Sequence, residues 1–157
     1  MNNSESKSMA LSASPPLPVS IVANRQLAEI LSQKSFPVLQ QFMSYQTAEP
    51  GAYLWREGEA SNYMALVLSG KLETLKETEF PNHPFLTGIF NPGTVVGEDG
   101  FLDDRPRNTT VRALEPCDLL VMNRNSFEQL EQRYPAIANL ILKWLLNLIS
   151  NRLHNTQ

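Results

Sequence analysis

Between Tyr45 and Asn123 no apolar run is longer than a strand needs: short stretches of β-branched, aromatic and aliphatic residues are separated at close intervals by glycine or proline. Pro50-Gly51 precedes AYLW and Glu57-Gly58-Glu59 follows it; NYMALVLSG forms a marked strand ending at Gly70. KLETLKET alternates as a half-exposed strand should, and HPFLTGIF, TTVRALEP and CDLLVMN supply three more strands. Several short antiparallel strands in one core of this size fit a mainly β jelly roll, a double-stranded β-helix-like barrel or a close relative of it.

Helical periodicity flanks this region on both sides. From Arg25 to Met43 the positions Leu27, Ile30, Leu31, Phe36, Leu39, Phe42 and Met43 recur at helical spacing, and Pro37 divides them into two short helices. After Asn123, NSFEQLEQRYP places Phe127 and Leu130 on one face, with Ser126 or Asn125 as the N-cap, and Pro135 opens a second helix. That helix carries Ile137, Leu140, Ile141, Trp144, Leu145, Leu148 and Ile149, a stripe wider than one packing face requires. Residues 136–153 are therefore expected either to pack simply on the barrel or also to cover a pocket or meet a homodimer or protein partner.

The first 20 residues combine serine, asparagine and three prolines with few large apolar groups, and read as a loose tail ahead of a single domain at 21–157. The 157-residue length suits one core, and 42% hydrophobic with 18% charged residues excludes a disordered chain. A net charge of −3 gives no basic surface for DNA, so no DNA binding by this chain alone is expected. Cys117 is the only cysteine, so no intrachain disulfide can form, and a reducing, cytoplasmic setting is the simpler expectation. The run IANLILKWLLNLIS is broken by Asn139, Lys143 and Asn147 and falls short of the roughly 20 residues of a membrane span, so no transmembrane segment is expected.

The stretch VGEDGFLDDRPRNTT at 96–110 carries the chemistry. Glycines at 93, 97 and 100 let the backbone turn tightly and approach a ligand. A short helical turn beginning near Glu98 would present free N–H groups to an anionic phosphate. Arg107 would close that cradle with a charge-assisted contact, and Glu98 fits as an acceptor for a ribose hydroxyl. Taken singly, Glu98 is equally a partner of a helix dipole, and Arg107 a surface ion pair with Asp103 or Asp104.

This segment resembles the phosphate-binding cassette of cyclic-nucleotide-binding domains, approximately F-G-E-L-A-L-L-x-x-x-P-R-A-A-T-V in the regulatory subunits of cyclic-AMP-dependent kinase and looser in the bacterial catabolite activator. Val96-Gly97-Glu98 matches the opening, Phe101-Leu102 the apolar pair, and Pro106-Arg107 with Thr110-Val111 the close. PGAYLWREGEASNYMALVLSGKLE resembles the family's first sheet strands, and the likeness covers about 45 to 155. It implies a regulatory, non-enzymatic sensor of cyclic AMP or cyclic GMP with no cofactor, signalling through its C-terminal helices. The ligand-binding set it implies is Gly97, Glu98, Asp99, Gly100, Arg107, Asn108 and Thr109. Glu98 would take the ribose 2′-hydroxyl, Arg107 the cyclic phosphate, and backbone N–H groups near Asp99, Gly100 and Asn108 the rest of the phosphate. Trp144, Asn147, Ser150 and Asn151 on the last helix are candidates to meet the purine.

The departures from the cassette are also specific. Asp99 and Gly100 replace an apolar residue and an alanine, Asn108 and Thr109 replace small residues, and Asp99, Asp103 and Asp104 add negative charge. The alternative is accordingly a domain of this fold that no longer binds nucleotide and serves as a protein-interaction module. Bacterial members of the family it resembles commonly carry a helix-turn-helix after the last helix; none is expected in the sequence up to Gln157, which then reads either as a stand-alone sensor or as a piece of a larger protein. A cupin-like metal enzyme would need several histidines, and His83 and His154 are the only two.

Overall fold

The structure, a computed structural model, describes residues 10–11, 25–32 and 34–155. Among the described residues, nine strands form two antiparallel sheets. β1 (Ala10–Leu11), β2 (Ser44–Ala48), β9 (Cys117–Asn123), β4 (Tyr63–Ser69) and β7 (Val95–Val96) lie side by side in that order, and β3 (Tyr53–Trp55), β8 (Thr110–Ala113), β5 (Leu72–Lys76) and β6 (Phe85–Phe90) make the second sheet. The architecture is the mainly β jelly roll with flanking helices that the strand spacing predicts. Of the segment read as a loose tail, Ala10–Leu11 pairs with Gln46 and Thr47 of β2; the rest of residues 1–20 lies outside the described residues.

Two apolar layers explain why YMALVLS and CDLLVMN read as unbroken apolar runs. In β4, Ala65 and Val67 face the inter-sheet core with Leu72, Val111 and Leu119, while Met64, Leu66 and Leu68 face the helices. In β9, Leu119 and Val121 face inward and Leu120 and Met122 outward. A strand covered on both faces has no solvent side to mark with polar residues.

β5 departs from its expected half-exposed alternation: Leu72, Glu73, Thr74 and Leu75 are all buried. It is an interior strand between β8 and β6, and Glu73 is tolerated there because Arg112 on β8 donates to its carboxylate through Nε at 2.7 Å.

Helices close the helical side of the barrel. α1 (Arg25–Ile30) and α2 (Phe36–Leu39) are the two short elements divided as Pro37 requires, and Pro37 sits in the first turn of the second, where it costs no helical hydrogen bond. α4 (Arg124–Arg133) and α5 (Pro135–Asn155) follow β9. Ala138, Ile141, Trp144 and Leu145 of α5 pack against Leu27, Ile30 and Leu31 at the N-terminal end. No helix among the described residues is long and apolar enough to cross a membrane.

The N-cap of α4 is Asn123, not Ser126 or Asn125. Asn123 ends β9 in extended conformation, φ −90° and ψ 163°, and its side-chain oxygen accepts from the Ser126 N–H at 2.7 Å. Strand geometry running into the helix makes the last strand residue the cap, which polarity alone does not reveal. Asn123→Ala is expected to lower the unfolding free energy by about 1 kcal/mol, while Asn125→Ala leaves it nearly unchanged; urea unfolding of both variants checks this.

Candidate functional site

The segment 96–110 crosses from one sheet to the other: β7 ends in the five-stranded sheet, β8 begins in the four-stranded one, and α3 (Glu98–Leu102) lies between them. A connection that changes sheets at the barrel mouth leaves a concavity under it. That cavity measures about 250 Å³, and its walls include Gly97, Glu98, Asp99, Arg107, Asn108 and Thr109. Of the seven residues expected there, Gly100 alone does not line it.

Gly97 starts the turn. At φ +85° it has left-handed backbone, and a Cβ there would stand 2.5 Å from Arg107 Nη1 and 2.6 Å from the Trp55 ring. Only glycine lets the chain pass this close over the arginine. Gly100 answers a different constraint: its Cβ position lies 1.4 Å from Ser61 Oγ. The serine already fills the space that the alanine of the family pattern would take.

Arg107 is 4% exposed and, among the described residues, makes no ion pair with Asp103 or Asp104. Asp103 binds Arg105 at 2.7 Å and Asp104 binds Arg124, so these two acidic residues are paired elsewhere. The Arg107 guanidinium stacks on Trp55 with its carbon 3.5 Å from the ring centroid, and 4.9 Å from that of Tyr63. Nη1 donates to Gly97 O at 3.1 Å and Nη2 to Tyr63 O at 2.6 Å, while Nε is buried with no hydrogen-bond partner among the described residues. Its backbone is equally fixed: Arg107 N–H donates to Glu59 O at 2.8 Å and Gly58 N–H to Arg107 O at 2.7 Å. Burial pulls the guanidinium below its usual pKa, against the attraction of Tyr63 and Asp99, and pushes the Tyr63 phenol up to about 12.

Glu98 is buried at the start of α3 and pairs with Arg152 of α5. Arg152 also donates to Val95 O at 2.5 Å, and its guanidinium carbon lies 5.2 Å from the Phe90 ring centroid. Burial raises the Glu98 carboxyl above the ordinary carboxylate range, and the Arg152 charge opposes that rise. Asp99 is exposed, and its Oδ1 accepts the Gly100 N–H at 2.9 Å. One amide expected to face a phosphate is thus held by a carboxylate of the chain itself. Asn108 O accepts from Lys76 Nζ at 2.7 Å.

Sequence reasoning missed Trp55, Thr74 and Phe90 of the cavity wall and, of its charged groups, Arg152. Trp144 is buried in the core beneath α5 rather than at the cavity, and Asn147, Ser150 and Asn151 are exposed and do not line it. Arg152 follows Trp144 by eight residues on a helix whose apolar stripe sets its facing, but where the helix crosses the cassette depends on tertiary packing. Cys117 is a core residue: Sγ donates to Lys71 O and Glu115 O, and burial pushes its thiol up to about 11. Among the described residues no three metal-ligating side chains gather.

The family model described as "Cyclic nucleotide-binding domain" matches residues 45–134. A cyclic nucleotide-binding domain from Methylobacillus flagellatus KT is similar in structure, with TM-score 0.72 and 26% identity over 83% of this chain and 78% of that one. Among curated sequences, the mouse patatin-like phospholipase domain-containing protein 6 is 25% identical over 73% of this chain and 8% of its own length. Acetyltransferase Pat of Mycolicibacterium smegmatis is 35% identical over 52% of this chain and 24% of its own. The chain spans less than a tenth of the phospholipase relative and about a quarter of the acetyltransferase.

Proposed function

The chain belongs to the cyclic nucleotide-binding domain family, and from that membership we propose that its cavity under residues 96–110 takes cyclic AMP or a close relative. The domain then acts as a cytoplasmic regulatory module that performs no reaction itself. The observation that carries this reading is Arg107, a guanidinium 4% exposed at the cavity wall with an unused Nε–H. A buried charge with an unsatisfied donor is costly, and a phosphate oxygen is the acceptor that offsets it best. The cavity of about 250 Å³ is slightly smaller than the usual ligand site, which favours a ligand no larger than one mononucleotide.

The route to the C-terminal helices runs through Glu98. Its carboxylate accepts from Arg152 of α5, and a ribose 2′-hydroxyl needs the same oxygens. Nucleotide and Arg152 therefore compete for one acceptor, and the ligand shifts the population in which the end of α5 is held to the cassette. The longer relatives carry the names of a patatin-like phospholipase domain-containing protein and an acetyltransferase, and control of an attached activity or of a partner is, for this chain, part of the same proposal.

The outward face of α5 supports a homodimer. Leu142, Leu146 and Leu153 are exposed and, with half-buried Ile149, fall at spacings of four, three and four, the pattern of a coiled-coil seam. Sedimentation at micromolar concentration is expected to give a dimer that Leu146→Glu converts to monomer; a wild-type monomer contradicts the dimer reading.

Calorimetric titration with cyclic AMP and cyclic GMP tests the ligand. Saturable binding of at least one is expected, weakened about a hundredfold by Arg107→Ala through loss of a buried charge-assisted contact. No heat from either at millimolar concentration would instead favour an interaction module that has lost its ligand.

A further inference from the structure

Arg124 is the first residue of α4, and its side chain turns back onto the cassette helix. Nε donates to Phe101 O at 2.9 Å, and Nη2 donates to Gly100 O at 2.5 Å and to Asp103 O at 2.9 Å. Nη1 pairs with Asp104, and Nη2 reaches Ser61 O at 3.4 Å. The backbone is anchored as well, since Arg124 N–H donates to Asn62 O at 2.7 Å.

Three of these acceptors, Gly100 O, Phe101 O and Asp103 O, share one origin. α3 ends at Leu102, and the carbonyls of its last turn run out of intrahelical donors. A planar guanidinium at that end meets several of them at once and favours the negative end of the short helix. Asp104 adds little, because its side chain is 89% exposed and the pair is screened by water. The weight of the contact falls on the backbone carbonyls.

Two arginines of the C-terminal helices thus hold the two ends of one five-residue helix, and they differ in kind. Arg152 holds Glu98, whose carboxylate a ribose hydroxyl can claim. Arg124 holds carbonyls outside the cavity, for which a bound nucleotide offers no competitor. We propose that Arg124 is the positioning residue of the site: it fixes the C-terminal end of α3 to the start of α4, so that exchange of partners at Glu98 turns the helix about a held point. Ligand affinity then depends on a side chain that touches no ligand. The affinity part of this inference rests on the nucleotide reading above; the anchoring part does not.

The test separates the two. In Arg124→Gln without nucleotide, amide exchange at Phe101 and Asp103 is expected to accelerate about tenfold, with exchange in β4 and β9 unchanged. The same variant is expected to bind the nucleotide that the wild type binds about tenfold more weakly, while Asp104→Asn stays within about twofold because its pair is solvent-exposed. A residue that only stabilised the fold would lower Tm and leave the affinity of the folded protein unchanged. Arg124→Lys keeps the charge but loses the fork; if the glutamine variant does not fold, the lysine variant is expected to show the same local acceleration to a smaller degree. Unchanged exchange across 98–104 in a folded variant overturns the anchoring, and wild-type affinity in Arg124→Gln overturns the positioning role. A wild type that binds neither cyclic nucleotide overturns the nucleotide reading and with it the affinity role, leaving the exchange result to decide the anchoring.

Discussion

A guanidinium buried to 4% exposure organises this molecule. Taking Arg107 out of water is unfavourable unless its donors and its face are satisfied, and the surrounding structure meets that demand from four directions for the face, the two terminal nitrogens and the backbone, leaving Nε unpaired among the described residues. Trp55 of β3 stacks against it, Tyr63 at the start of β4 supplies a ring and a carbonyl, Gly97 supplies a second carbonyl, and the 58–59 turn pins its backbone. These groups come from both sheets and from the connection between them. The arginine therefore ties the barrel mouth together, and the left-handed glycine above it is the geometric consequence of that closeness.

The remainder of the site follows from where this places α3. Gly97 leads directly into the helix, which puts Glu98 at the cavity wall and its carboxylate within reach of the last helix. Arg152 and Arg124 then grip the two ends of α3 from the C-terminal side. Short-range chemistry at the cavity and packing of α4 and α5 are joined through a helix of five residues, which is a small element to reposition.

Much of this was legible in the sequence, for identifiable reasons. The strands are short and punctuated by glycine and proline, so the jelly roll shows in spacing alone. The cassette is contiguous, so Gly97, Glu98 and Arg107 could be named as a set before any geometry was known, and the structure gathers them at one cavity. Features that depend on long-range packing did not show. The burial of β5 depends on its having neighbours on both sides, and the cap of α4 on the strand that precedes it. Arg152 reaches the cavity because α5 crosses it 54 residues after Glu98. The glycine at 100 likewise makes sense only once Ser61, from a turn 39 residues earlier, is found in the space of its missing side chain.

In the proposed cycle Glu98 serves two partners in turn, an arginine of the last helix and the ribose of a cyclic nucleotide. A crystal structure of the protein grown with saturating cyclic AMP tests it most directly. The ribose 2′-hydroxyl is expected on Glu98, a phosphate oxygen on Arg107, and Arg152 released from the carboxylate. A nucleotide bound with the Glu98–Arg152 pair intact, or bound away from residues 96–110, would contradict it.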